Sequence, residues 1–234
     1  MCGRFHQSDI SKALSDFGWV EEFVNRSTAA PCWNVAPTMR RPVIHVEGGA
    51  LLVDDLHWGY QAGWAQGKVP VAVNARLEKI TNRYWGQLLA RGRCIVPANG
   101  WYEWTGEKGA KQPWHIHRID KGPLYMAALA CFGEPTEHAA AHGFTIVTAD
   151  AQGGMVDIHD RRPVVFTAAD AETWMDQAVS SEQAAELARS MALGPDNFAW
   201  YMVDKAVGSV RNQGAHLDQL AVSPRCHSGA RRSR

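Results

Sequence analysis

The sequence has no net charge, because 24 Lys and Arg residues are balanced by 24 Asp and Glu. Indiscriminate attachment to nucleic acid needs a basic excess, so any DNA contact has to come from a local patch. Long apolar runs are also missing. Leu51–Val53 and Tyr125–Phe132 are among the longest, well short of the ~20 residues that span a bilayer, and no basic-then-apolar leader opens the chain. Neither a membrane partner nor secretion is expected, and the location read from the sequence is cytoplasmic. Cysteine is sparse: Cys2, Cys32, Cys94, Cys131 and Cys226 are odd in number, widely spaced and without a CxxC pair. They read as reduced thiols, and no zinc site, metal or cofactor is expected from them.

What is present suits one sizeable domain. The chain has 234 residues, 46% of them hydrophobic and 21% charged, which is ordinary for a soluble protein with a core. Ten tryptophans serve packing, and the same side chain can also stack on or wedge between bases. Helical spacing is read at Ser8–Phe17, Asn82–Ala90, Ala168–Asp176 and Ser181–Ala192. Strands are read at Pro42–Val46 and Ala50–Trp58, about a Gly48-Gly49 turn, and at Val69–Ala75, Arg93–Val96, Gly100–Thr105, Trp114–Ile119, Leu124–Phe132, Phe144–Thr148 and Ala199–Val203. Long crossover helices are absent between most of these strands. The expected fold is therefore α+β, a single domain over residues 1–222 of curved, mainly antiparallel sheets in a barrel-like body with short peripheral helices. Residues 223–234, SPRCHSGARRSR, are expected to form a basic, disordered tail.

The chemistry centres on Met1-Cys2-Gly3-Arg4. Removal of Met1 leaves Cys2 with an α-amine, reference pKa roughly 7.7–8.0, beside a thiol at roughly 8.5. Such a 1,2-aminothiol condenses with an aldehyde to an imine, and the thiol then closes a thiazolidine ring. Asn74-Ala75-Arg76-Leu77-Glu78 ends a strand where an amide can hold a substrate oxygen and an arginine a phosphate, or where a solvated charge pair merely ends the strand. Glu103, between Tyr102 and Trp104, either has a raised pKa among aromatics or points to water on the alternate face. His159, followed by Asp160, Arg161 and Arg162, is a proton carrier with cations beside it, although a lone histidine is more often structural. His115 and His117 alternate on one strand face, but without a further ligand motif they read as surface.

Taken in order, MCGR, WNVAP, WGYQAGW, NARLE, CIVPANGWYEW, TADA and HDRRP resemble the SRAP (SOS-response-associated peptidase) family from residue 2 to about residue 214. The resemblance implies a domain that binds single-stranded DNA and covalently captures abasic sites through Cys2, with Asn74, Glu103 and His159 as the other active-site positions. Arg4, Arg76 and Arg161 are similar to phosphate-contacting positions, and Pro37, Trp64 and Trp104 are placed to support the flanking bases. The family usually has Met where Arg162 stands, so this extra cation either adds to phosphate binding or points to solvent. A monomer is expected, with replication or repair proteins as further partners. Two other readings stay open: an N-terminal-nucleophile thiol peptidase or amidase, and a non-covalent single-strand binding module. A lyase side reaction accompanies the imine chemistry.

Overall fold

The computed structural model describes residues 2–17, 23–133 and 139–221. The expected tail and the boundary at 222 lie outside them. In chain order the elements begin β1 (Phe5–Gln7), α1 (Ser11–Ser15), β2 (Phe23–Asn25), β3 (Cys32–Val35), β4 (Arg40–Glu47) and β5 (Ala50–Trp58). They continue with β6 (Asn74–Arg76), α2 (Gly86–Arg91), β7 (Arg93–Ala98), β8 (Gly100–Thr105), β9 (Gln112–Arg118) and β10 (Leu124–Ala130). The last are β11 (Gly143–Asp150), β12 (Arg161–Pro163), β13 (Val165–Phe166), α3 (Ala168–Met175), α4 (Ser181–Ser190) and β14 (Phe198–Met202).

Every residue of β7 and β10 is buried, because both strands separate two cores. Alternate side chains go opposite ways. Cys94, Val96, Leu124, Met126 and Ala128 join one cluster with Phe5, Trp101 and Ile116 of the smaller sheet. Ile95, Tyr125, Ala127 and Leu129 join the other, with Ala13 of α1, Leu89 of α2, Trp174 of α3 and Ala185 of α4. Three layers result: a small sheet, a large sheet and a helical cover.

The small sheet runs β14-β9-β8-β1-β3, antiparallel at each pairing. The large one runs β12-β11-β10-β7-β4-β5-β2, with β13 beside β10 and β6 beside β11. A parallel contact of β5 with β11, Trp58 against Phe144, curls the large sheet into a ring-like body that stops short of a closed barrel. The mainly antiparallel α+β architecture read from the sequence is thus present. No helix among the described residues is long and apolar enough to cross a membrane.

Local chemistry accounts for the boundaries. The β4–β5 hairpin turns on Gly48 and Gly49 at φ 60° and 87°, the successive positive values that a two-residue type I′ turn requires. Ser180 and Gln183 form a reciprocal capping box at the start of α4. The buried Arg93 guanidinium donates to the carbonyls of Leu89, Trp174 and Val179, closing the C-terminal ends of α2 and α3. The strand expected at Val69–Ala75 shrinks to β6, with Ala72 making only an isolated bridge to Tyr60; Pro70 lacks the N–H a ladder needs. The helix expected from Asn82 starts at Gly86, because the Asn82 side chain accepts from the N–H groups of Tyr84 and Trp85 and holds a turn there.

Candidate active site

Pairing of β1 with β8 sets Phe5 opposite Trp101 and His6 opposite Gly100, and the Tyr102 N–H donates to the Arg4 carbonyl at 3.0 Å. Side chains alternate along β8, so Trp101 and Glu103 face the layer between the sheets while Gly100 and Tyr102 face away. The segment before β1 therefore runs Cys2 in beside Glu103. Asn74, the first residue of β6, donates from Nδ2 to the Cys2 carbonyl at 2.9 Å. Its position follows from parallel pairing with Ile146 of β11. The same strand carries β12, with Asp150 opposite Arg161, and so fixes the loop that ends in His159. His159 Nε2 lies 3.9 Å from Glu103 Oε2. Four residues far apart in sequence converge.

The environment decides between the two sequence readings of Glu103. It faces inward and is buried, and that burial, with the nearby Asp160 charge adding to it, pushes its carboxyl up to about 7. Glu103 Oε1 and Asn74 Oδ1 are buried without a hydrogen-bond partner, as expected of atoms that meet a polar ligand. Burial pushes the Cys2 thiol far up, and the Glu103 charge adds to it. Burial also holds His159 below its ordinary value. The Arg161 backbone N–H donates to His159 Nδ1 at 2.9 Å, which in the neutral ring leaves the hydrogen on Nε2, the atom facing Glu103. Asp160 Oδ1, 2.7 Å from the same Nδ1, favours the imidazolium instead, so the two neighbours of Nδ1 select different protonation states. The crevice between Glu103 and His159 has a volume of about 10 Å³, room for one water.

The arginines are placed less simply than the sequence reading expects. Arg76 is exposed at the end of β6. Arg161 is buried and holds Glu78 at 3.0 and 3.1 Å, Asp150 at 2.5 Å and the Thr148 carbonyl at 2.7 Å. Arg4 donates to Asn34 Oδ1 at 2.6 Å and to the Val207 and Gly208 carbonyls, and its guanidinium lies 5.8 Å over the Trp104 ring. Arg162 is buried, donating to the Leu193 carbonyl at 2.6 Å, so in the free chain it does not point to solvent. Trp64 is exposed, edge-on to Tyr84, and Pro37 is half-buried. Sequence reading misses Asn34, wholly buried, whose Nδ2 donates to the carbonyls of Val207 and Ser209. Its place between two prolines marks a rigid segment but carries no sign of these distant partners. Asp160 is missed as well, although its adjacency to His159 is a usable signal.

The profile of the "SOS response associated peptidase (SRAP)" family matches residues 1–210. The chain is 40% identical over 230 residues to the abasic site processing protein YedK of Escherichia coli, covering 94% of this chain and 99% of that protein. It is 30% identical over 229 residues to the abasic site processing protein YoaM of Bacillus subtilis, covering 93% and 97%. A crystal structure of a phage-related protein from Bordetella bronchiseptica superposes with a TM-score of 0.75 at 38% identity, covering 91% of this chain and 99% of that one. Matched along nearly its whole length in sequence and in fold, the chain belongs to the SOS response associated peptidase family.

Proposed function

We propose that the chain, once Met1 is removed, binds single-stranded DNA and captures abasic sites through Cys2 as a thiazolidine crosslink, which shields the lesion from strand cleavage. The observation that carries this reading is the convergence of Asn74, Glu103 and His159 on Cys2, with two unsatisfied buried oxygens beside it. Relatives named abasic site processing proteins support the choice of substrate.

The order of steps follows from the electrostatics. A thiol pushed up by burial supplies little thiolate, so the α-amine attacks the C1′ aldehyde of the ring-opened deoxyribose first. Glu103, poised near 7, takes the proton that the amine loses and returns it to the departing hydroxyl, which leaves as water to give the imine. The sulfur then adds to the imine carbon as its proton passes to nitrogen, closing the ring with no further loss of atoms. His159 Nε2–H is the acid for the sugar ring oxygen, and Asn74 fixes the Cys2 backbone. The same high thiol pKa weighs against a peptidase in which sulfur attacks a carbonyl first. β-Elimination from the imine is the lyase side reaction, and ring closure suppresses it. Arg76 meets a phosphate directly, Arg4 and Arg161 do so by exchanging internal partners, and Trp64 stacks on an unpaired base.

A Cys2→Ser variant keeps the amine but cannot close the ring. Mixed with an abasic single strand, it is expected to lose the heat-stable crosslink and shift towards strand cleavage. A heat-stable adduct at wild-type yield would overturn the mechanism.

A further inference from the structure

An imidazole is an effective acid only when both of its ring nitrogens carry hydrogen. The neutral ring that the Arg161 N–H selects has its hydrogen on Nε2 alone, and giving that hydrogen to a sugar oxygen would leave an imidazolide anion. The acid role of His159 therefore needs a second hydrogen, on Nδ1, and a group to accept it. Asp160 Oδ1 stands there, 2.7 Å from Nδ1. Nδ1 thus has two mutually exclusive partners: the Arg161 N–H at 2.9 Å when it is a lone pair, and the carboxylate when it bears hydrogen.

The loop keeps both within reach. The His159 N–H donates to the Met155 carbonyl at 3.0 Å, and the Ala151 N–H donates to the Asp160 carbonyl at 2.8 Å. These main-chain bonds hold the turn, while the Asp160 side chain, 82% exposed, lies back against the ring. The other charged groups facing His159 are Glu103 of β8, 3.9 Å from Nε2, the chain's amino group, Lys111 in the turn between β8 and β9, and Arg161 and Arg162 beside the crevice. Burial above all, then the amino group and Lys111, disfavour the imidazolium, and Asp160 opposes them. Glu103, at about 7, is a carboxylate only part of the time near neutrality.

We propose that Asp160 is a positioning residue for the capture reaction, drawing a second hydrogen onto His159 Nδ1 and so making Nε2–H a competent acid for opening the sugar ring. The inference rests on the abasic-site reading above. In the step, the imidazolium passes its Nε2 hydrogen to the ring oxygen as the bond from that oxygen to C1′ breaks. The C1′ hydroxyl gives its hydrogen to water as the carbonyl forms, and His159 is left neutral with Nδ1–H held by Asp160. A strand whose aldehyde has no hydroxyl able to close on it skips this step.

The test measures crosslinking rates of Met-trimmed wild type, Asp160→Asn and Asp160→Glu across the neutral pH range. Two single strands are used, one with an abasic site and one with an acyclic aldehyde at the same position. The acid form is populated below the His159 pKa, so capture of the abasic strand slows as pH rises through it. Asp160→Asn should move that fall to lower pH by roughly half a unit to one unit, the exposed carboxylate being partly screened, and slow capture roughly threefold to tenfold at neutral pH. Asp160→Glu should restore most of the rate. The Asp160 charge also raises Glu103, but amine addition is common to both strands, so any change by that route cancels in the ratio of their rates. Equal slowing on the two strands, or an unchanged pH profile on the abasic strand, would overturn the proposal while leaving capture itself intact. No crosslink from the wild type with either strand would overturn the reading beneath it as well.

Discussion

Glu103 illustrates how the site trades stability for chemistry. A carboxyl that titrates at about 7 in the folded chain and near 4.5 when unfolded binds more protons in the native state between those values. Stability accordingly falls as pH rises through that window and levels off above it. Two and a half pH units correspond to a penalty of about 3 kcal/mol at most. Glu103→Gln is therefore expected to unfold at higher temperature than wild type at pH 8, to lose that advantage near pH 4, and to crosslink slowly at both. A thermal melt series across pH checks this; a variant less stable than wild type at pH 8 would contradict the inward, desolvated placement. Cys2 stands out by its residue chemistry, whereas the residues alone leave the inward face of Glu103 and a chemical part for His159 open, and only the resemblance singles them out. The tautomer of His159 was not legible, because it depends on the backbone N–H of Arg161 in one particular loop geometry.

At the scale of elements, the pairing of β11 with both β6 and β12 assembles the site and also builds a latch. Glu78, just beyond β6, and Asp150, at the end of β11, hold Arg161 of β12, occupying the guanidinium that the proposed function assigns to a phosphodiester. The carboxylate side of the latch is open to solvent while the guanidinium is buried, so the pairs are only partly screened and removing one carboxylate leaves Arg161 freer to exchange partners. Glu78→Gln should tighten binding of an intact single strand about twofold to fivefold, read by fluorescence anisotropy at low salt; weaker binding would show that Glu78 serves the DNA contact itself. Most strands and both later helices were readable from periodicity and caps. The latch was not, and neither was the buried course of Arg162, since ion pairs and sheet neighbours depend on long-range register that no local spacing encodes. The ring contacts of His115 with His6 and His117 teach the same lesson, because the order β1-β8-β9 brings His6 to them.

Across the whole molecule, the two faces of the small sheet have separate surroundings. One buries the aminothiol residue against the large sheet; the other gathers imidazoles over Gly100. The absence of net charge and the internal engagement of Arg4, Arg161 and Arg162 weaken the electrostatic pull beside the site, so affinity for an intact strand should be modest and the covalent bond should supply the persistence of the complex. The most direct measurement mixes Met-trimmed protein with a single strand carrying one abasic site, heats it without borohydride, and determines the mass of the product beside an intact-strand control. The account predicts an adduct with the abasic strand alone, equal to protein plus DNA less one water and located at the peptide beginning with Cys2. No heat-stable adduct from protein that demonstrably begins at Cys2, or an adduct at any other residue, would contradict it.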